Sequence, residues 1–175
     1  MSNKFNQKFD YIFLICPTFI HNKTYNNFGD LDKDLFILTP LQNQIDFCLK
    51  LISFVYEGTN TLIILDDCAA SKDVKQRTNE LVNLAFSARH KGISVWVLTQ
   101  QMTSIAKPFR ENIAALVLFY TPSAKDMKAT FDDYAGDLTK EEQIELITKL
   151  KNEKYSHLIL SLCHPFDIKF EKEIK

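Results

Sequence analysis

Apolar blocks alternate with stretches of helical periodicity over the first 120 residues of the chain. FDYIFLI, Phe9 to Ile15, reads as a buried strand that Pro17 ends. The polar, Asn/Asp-rich run FIHNKTYNNFGDLDKD (19–34) reads as an exposed loop, and Leu35 to Leu38 as a short strand. Thr39-Pro40 predicts a helix with proline at its first position, running to about Glu57, where Gly58 stops it. Leu41, Ile45, Cys48, Leu49, Ile52 and Val55 form its expected apolar stripe. TLIIL, Thr61 to Leu65, predicts a second strand whose apolar run ends in Asp66-Asp67. Ser71 to Lys91 reads as a helix with Val74, Leu81, Leu84 and Ala85 or Ala88 facing inward, closed by Gly92. ISVWVL, Ile93 to Leu98, is a third buried strand, and after the turn-prone Lys107-Pro108 comes a fourth, Ile113 to Tyr120.

Ser123 to Tyr134 and Thr139 to Asn152 read as two helices, the second opening with a Thr139/Glu142 capping box. Ser156 to Leu162 and Phe166 to Phe170 predict an antiparallel hairpin meeting at His164-Pro165. No linker, repeat or low-complexity tract interrupts the pattern. It predicts one α/β domain over residues 1–175, with a mainly parallel sheet flanked by helices and a C-terminal antiparallel hairpin.

Composition narrows the function classes. With 46% hydrophobic and 25% charged residues, the chain has the make-up of an ordinary folded domain. A formal charge of -1 gives no global drive toward nucleic acid or an anionic membrane. Fourteen phenylalanines predict a Phe-rich core. The apolar run Tyr11 to Cys16 is too short for a signal segment or a membrane span, so an intracellular, non-secreted protein is expected. Cys16, Cys48, Cys68 and Cys163 form no C-x-x-C and read as buried free thiols rather than a disulfide framework or zinc site. His21, His90, His157 and His164 lack metal-ligand spacing.

Candidate chemistry gathers where the strands end. In an open α/β sheet, ligands sit outside the carboxyl ends of the strands, which places Pro17-Thr18, Asp66-Asp67, Thr99-Gln100 and Thr121 on one edge. LIILDD delivers two adjacent carboxylates from an apolar strand. One could hold a metal ion and the other take a proton from an attacking water. Such a pair also ends strands and caps turns, and that is its commoner use. Gln100 could orient water or sense a terminal phosphate, and is otherwise a polar turn residue. Arg89-His90 stands at a helix C-terminus, where the dipole favours cations. Arg110, in KPFREN, is a solvated loop arginine unless an anion faces it. The four glycines, Gly29, Gly58, Gly92 and Gly136, fit neither G-x-G-x-x-G nor G-x-x-x-x-G-K-S/T, so no phosphate-cradling loop is recognisable.

In order, the chain carries strand-DD, a helix, RHKGIS, a strand, TQQ, and a loop arginine before another strand. This set resembles the A32-like packaging ATPases of poxviruses, giant viruses and Polintons, within the FtsK–HerA superfamily of P-loop motors (the ASCE type). FDYIFLICPT is similar to the strand that follows the P-loop helix there. The resemblance covers most of residues 8 to 170 and is most specific over 61 to 113. It implies that Asp66 is the Walker B aspartate coordinating Mg²⁺, Asp67 the acidic catalytic residue, often Glu in the wider superfamily, and Gln100 the polar sensor. Arg89 and Arg110 become candidates for the arginine that completes a neighbouring subunit's site, Arg89 with the closer motif match. ATP and Mg²⁺, a homo-oligomeric ring, double-stranded DNA and capsid components are the implied ligands and partners, with no membrane role.

The family's first strand, phosphate loop and first helix should precede FDYIF, where only eight residues stand. An N-terminally incomplete ATPase-like domain is therefore expected, not competent for hydrolysis by itself. Loss of the P-loop strand would leave the sensor strand and the next one either with open edges or paired directly. Two alternatives stand beside this reading. One is a P-loop-less pseudo-ATPase that binds or regulates a motor ring. The other, the weakest, is a receiver-like phosphoacceptor using the acidic pair and Thr99, which lacks a separate phosphoacceptor aspartate and a matching lysine.

Overall fold

A strand that is apolar on both faces of its pleat has to be covered on both. That requirement organises the first part of the computed structural model, which describes residues 8–22, 25, 35–41, 43–68, 71–76, 79–163 and 167–172. β3 (Thr61–Asp66) buries its first five residues completely. It pairs in parallel with β1 (Tyr11–Ile15) on one side and with β4 (Ile93–Leu98) on the other. β2 (Leu35–Leu38) adds to the far side of β1, also parallel, giving the order β2-β1-β3-β4. The register sets Ile15 against Leu65 and Asp66 against Leu98, so the strands end at one edge.

One pleat face carries Leu14, Cys16, Leu62 and Ile64, with Phe9, Ile12, Phe19, Tyr25 and Leu35 packed on them. α1 (Ile45–Val55) buries Ile45, Leu49 and Ile52, and α3 (Glu80–Ser87) buries Leu81, Val82 and Leu84. The short α2 (Lys72–Lys75) buries Val74. α1 and α3 are tied to each other by polar contacts. The Glu80 N–H donates to Asp46 Oδ1 at 2.6 Å, and the Ser53 hydroxyl donates to Glu80 Oε1 at 2.8 Å. These bonds satisfy the buried Ser53 and Glu80.

The chain divides into two compact units, Met1–Phe109 and Arg110–Lys175. The one-turn α4 (Lys107–Arg110) stands where the first gives way to the second. In the second unit, β5 (Ala115–Phe119), β6 (Ser156–Ser161) and β7 (Asp167–Lys172) form an antiparallel sheet in that order. β6 buries Ser156, Leu158 and Leu160 in alternation, as expected of an antiparallel strand with one face on a core. α5 (Ala124–Tyr134) contributes Met127 and Phe131 to that core, and α6 (Lys140–Asn152) contributes Leu150. α6 has the expected capping box: Thr139 Oγ1 accepts from the Glu142 N–H, and Glu142 Oε2 accepts from the Thr139 N–H at 2.8 Å. Those bonds hold the Glu142 carboxyl below its ordinary pKa.

Several expectations need correction. The first long helix begins at Ile45, not at Thr39-Pro40. Gln44 precedes it and takes the Leu41 N–H on its side-chain oxygen, a local turn that leaves Leu41 exposed. Ser71 to Lys91 is not one helix. Asn79 accepts the Val82 N–H at 2.9 Å and starts α3 afresh, the side-chain competition with backbone that makes Asn a cap rather than an interior residue. Lys107-Pro108 opens a helical turn, with proline in its first positions. The fourth apolar strand does not join the parallel sheet. β5 pairs antiparallel with β6, so Thr121 follows a strand of the second sheet. Among the described residues β4 is an edge strand of the first sheet and β5 of the second, the open-edge outcome. Among the described residues the core is not Phe-rich: Phe13, Phe109 and Phe131 are buried and Phe9, Phe19 and Phe170 partly so, whereas Phe36, Phe47, Phe54, Phe86 and Phe119 are exposed, and Ile and Leu fill most of the interior. Cys16, Cys48, Cys68 and Cys163 are free thiols, with Cys163 at the surface. Gly29 and the His164-Pro165 turn lie outside the described residues.

Gly92 joins the turn after α3 to β4 at φ +70, and a Cβ there would meet the Thr59 carbonyl oxygen at 2.6 Å. Gly58 has φ +84 but open space around it. Gly58→Ala should therefore cost only the left-handed backbone penalty, about 1 kcal/mol. Gly92→Ala should cost about 3 kcal/mol, because a backbone clash adds to the same strain. Urea unfolding of the two variants checks this; equal losses would exclude the close approach.

Candidate functional site

Because β1 and β3 are neighbours in parallel register, the chain leaving each strand emerges side by side. Cys16, Pro17 and Thr18 follow β1, and Asp66 and Asp67 complete and follow β3. Asp66 is half-buried and Asp67 exposed. Asp67 has φ +54, and only it and Tyr155 adopt positive φ among the described non-glycine residues. Aspartate enters this left-handed region more readily than most side chains, at a cost of about 1 kcal/mol. Such strain persists where the surroundings fix it. Here Thr18 Oγ1 donates to Asp67 Oδ2 at 2.6 Å, anchoring the carboxylate to the end of the adjacent strand.

Asp66 is held from the other side. The Tyr25 hydroxyl donates to Asp66 Oδ2, and the Tyr25 ring stacks on Phe19 with centroids 5.2 Å apart. The Cys16 thiol lies 3.9 Å from the same carboxylate oxygen and 3.6 Å from Thr18 Oγ1. Cys68 donates to the Asp66 carbonyl at 3.3 Å. Thr18, His21, Asn22 and Asp67 line an open cleft of ≈ 270 Å³ against this edge.

The electrostatics follow from two carboxylates with no ion-pair partner among the described residues. Burial pushes the Tyr25 phenol upward, and its bond to Asp66 and the nearby negative charge push it further. Burial likewise raises the Cys16 thiol, and takes that of Cys68 to about 12. Both sulfurs are therefore neutral thiols at neutral pH, poor metal ligands. What remains is a set of hard oxygen donors. Among the described residues no group of three or more His, Cys, Asp or Glu could cage a metal ion by itself. That donor set fits Mg²⁺, which takes one or two carboxylates and fills its shell with water and substrate phosphate oxygens.

The expected site residues fall into three places. Asp66, Asp67 and Gln100 share one edge: Asp66 pairs with Leu98, and Gln100 follows two residues later, exposed and without a side-chain hydrogen bond to a described residue. Thr99 is occupied locally, its hydroxyl exchanging bonds with Gln101 at 3.1 Å. Arg89 lies in the turn between α3 and β4, at the amino ends of the strands. From there to the level of Asp66 the sheet extends roughly 17 Å, so Arg89 cannot complete its own chain's carboxylate site. It is exposed and makes no side-chain bond to a described residue. Arg110 is different. Its guanidinium pairs with Asp133, and its carbonyl accepts the Tyr134 hydroxyl at 2.7 Å, so it is built into the second unit.

Tyr25 is the contact that sequence reasoning missed. It sits in a run that reads as exposed polar loop, and no periodicity marks one tyrosine among asparagines as a lid on the strand ends. Thr18 was legible as a strand-end residue, but its bond to Asp67 was not.

No curated protein sequence matches the chain. Solved structures do. B204, the DNA-packaging ATPase from Sulfolobus turreted icosahedral virus, superposes with a TM-score of 0.72 at 18% identity, over 97% of this chain and 85% of that one. The genome-packaging NTPase B204 from Sulfolobus turreted icosahedral virus 2, in complex with ATP-gammaS, gives 0.67 at 18% identity, over 97% and 85%. Its complex with AMPPCP gives 0.63 at 16% identity, over 97% and 100%. At these identities the likeness establishes the fold, that of a P-loop-type packaging ATPase. The family follows from sequence: residues 1–161 match the model described as Poxvirus A32 protein, and the chain belongs to that family.

Proposed function

We propose that this chain supplies the acidic, sensor and arginine side of a viral genome-packaging ATPase, with Asp66 in the Walker B position of the FtsK–HerA superfamily. The observation that carries the reading is the paired carboxylate edge. Asp66 and Asp67 leave the central strand together, and Asp67 is held in a strained backbone state by a hydroxyl from the neighbouring strand end. A strand terminus that merely stops needs neither feature. The B204 structures that share the fold were solved with ATP-gammaS and AMPPCP, which supports a nucleotide as the ligand here too.

In this reading Asp66 would hold Mg²⁺, and the ion would offset phosphate charge. Asp67 accepts a proton from the attacking water, and Gln100, on the adjacent strand's end, orients that water. Thr18 fixes the direction of the Asp67 carboxylate. Residues 1–175 contain no G-x-x-x-x-G-K-S/T run, so the backbone amides that cradle β- and γ-phosphates are not among them. Hydrolysis therefore needs that loop from elsewhere. The partners that follow are further copies in a ring, double-stranded DNA and capsid components. No helix among the described residues is long and apolar enough to cross a membrane.

Arg89 favours a second role, as a P-loop-less subunit that lends an arginine to a competent neighbour. It is exposed, makes no side-chain bond to a described residue and lies far from its own carboxylates, the arrangement an arginine acting in trans requires. Arg110, committed to Asp133, is set aside for that task.

For the 175-residue chain alone, Mg-ATP turnover should stay at background, and Asp66→Ala should change nothing. Robust turnover abolished by Asp66→Ala would overturn the claim that hydrolysis needs an external phosphate loop. The two arginines separate in a paired experiment. Arg110→Ala should lower the unfolding free energy by about 1 kcal/mol through loss of a partly exposed ion pair. Arg89→Ala should stay within about 0.5 kcal/mol of the parent. When the chain is mixed with an active member of the family, any stimulated turnover should fall about 1,000-fold with Arg89→Ala. Stimulation that survives this change rules out Arg89 as the donor.

A further inference from the structure

The turn that joins α6 to β6 holds a residue in a conformation unsuited to its size. The Ser156 N–H donates to the Glu153 carbonyl at 3.2 Å and closes a four-residue turn, which the Ser156 hydroxyl reinforces on the same oxygen at 2.7 Å. Tyr155 is the third residue of that turn, at φ +62. Positive φ at this position belongs to glycine or asparagine, and a bulky side chain there is strained. In a core tyrosine, burial would offset the strain. Tyr155 is instead 52% exposed, and its ring is met by the Lys154 ammonium, 4.9 Å from the centroid. Backbone strain kept for an exposed ring points to a use at the surface.

Tyr155 lines a cleft of ≈ 260 Å³ that lies wholly within the second unit. Lys151 and Lys154 join it from the end of α6 and the turn, and Phe119 and Tyr120 from the end of β5. Phe119 is 57% exposed and Tyr120 39%, so three aromatic rings from two distant stretches of chain gather at one solvent-facing place. Lys151 and Lys154 are exposed, and neither forms an ion pair with a described residue. Glu153, the acid among the lining residues, is less exposed than either. The dipole of α6 favours lysines at its C-terminus by itself. It asks for no aromatic ring beside them, least of all one in a left-handed turn.

We propose that this cleft binds unpaired nucleotides of a single-stranded nucleic acid, with a base on the aromatic rings and the flanking phosphates on Lys151 and Lys154. Sites that hold single strands without reading sequence combine these two elements, stacking faces and a cationic track along the backbone. Size favours the same occupant. The cleft is smaller than the roughly 300–1,000 Å³ of a small-molecule pocket, so it suits one flat ring of a longer polymer rather than a complete small ligand. A duplex keeps its bases stacked on one another and would engage the lysines alone, leaving the rings unused. An acidic peptide would do the same. With a formal charge of -1 the chain has no global attraction for polyanions, so affinity has to come from this local pairing of rings and ammonium groups. The inference does not rest on the ATPase reading, since none of its residues belongs to the carboxylate edge.

The test is fluorescence anisotropy of the full chain with a labelled oligothymidylate of about 20 nucleotides, enough to span the ~4–16 nucleotides that such sites cover. A duplex of the same length and polyglutamate serve as competitors. The single strand should bind, and both competitors should bind at least about 10-fold more weakly. Tyr155→Gly should weaken single-strand binding about 10-fold, the loss of one stacked base. Its melting temperature should hold level or rise, because glycine accepts φ +62 without strain. A tyrosine kept for stability alone gives the reverse, lower melting with unchanged binding. Lys151→Gln combined with Lys154→Gln should flatten the slope of log affinity against log salt by about 1.4, at about 0.7 for each phosphate released. Lys140→Gln, at the far end of α6, should leave that slope as it was. Failure to bind the oligothymidylate overturns the proposal. So does equal binding of the duplex or polyglutamate, or an affinity that Tyr155→Gly leaves unchanged. Neither result touches Asp66 or Asp67, so the ATPase reading stands or falls on its own experiments.

Discussion

The parallel pairing of β3 between β1 and β4 is the constraint on which the rest of the first unit depends. Thr61 to Leu65 is apolar or satisfied on both faces, so the strand is stable only with neighbours on both sides and cover above and below. Parallel neighbours send their carboxyl ends the same way. Everything that has the chemistry of a site, Thr18 from β1, Asp66 and Asp67 from β3 and Gln100 after β4, is delivered to one edge by that single choice of direction. The arginine in the turn before β4 is sent to the other edge by the same choice. On the reading proposed above, Arg89 and the carboxylates then stand at opposite poles of one sheet, a polarity that suits head-to-tail neighbours better than an isolated subunit.

How much of this was legible in the sequence depended on which signals are local. The strands of the first unit were readable because uninterrupted apolar runs such as TLIIL and ISVWVL, set between breakers, mean a strand. Only TLIIL is buried on both faces: in β4 Ile93 alone is buried, and Trp96 and Leu98 are exposed. The α6 capping box was readable from two residues at fixed spacing. By contrast, Thr39-Pro40 carried a good helix-start signal that lost to the Gln44 turn, since propensity at a terminus is worth less than a satisfied backbone group. Asn79 broke a periodic stretch that hydrophobic spacing alone would have run through. The assignment of β5 to an antiparallel sheet was beyond reach: ALVLF does not say which strand it will meet, and its partner β6 lies about 40 residues on.

The site shows the same division. Asp66-Asp67 and Gln100 could be placed at one edge from strand order. The bonds that hold the two carboxylates, Thr18 to Asp67 and Tyr25 to Asp66, join residues more than 40 positions apart and leave no periodic trace. The phenylalanine count misled for a related reason. Composition records how much aromatic surface a chain owns but not on which side of a helix it falls, and α1 carries apolar residues on both sides.

The left-handed backbone at Asp67 bears on which acid can stand there. Aspartate enters the left-handed region more readily than most side chains, and here at φ +54 the Thr18 hydroxyl fixes its carboxylate. Glutamate, with its acid one carbon further out, lacks that preference. The bend of the chain at this position thus favours Asp over Glu on backbone grounds alone. It also sets stability against chemistry at this one position. Glycine would be the most comfortable residue at Asp67, so the substitution that best relaxes the fold is the one that removes the carboxylate. A survey of variants ranked by thermal stability alone would favour the loss of this residue, a gradient that the role proposed for its carboxylate would have to outweigh.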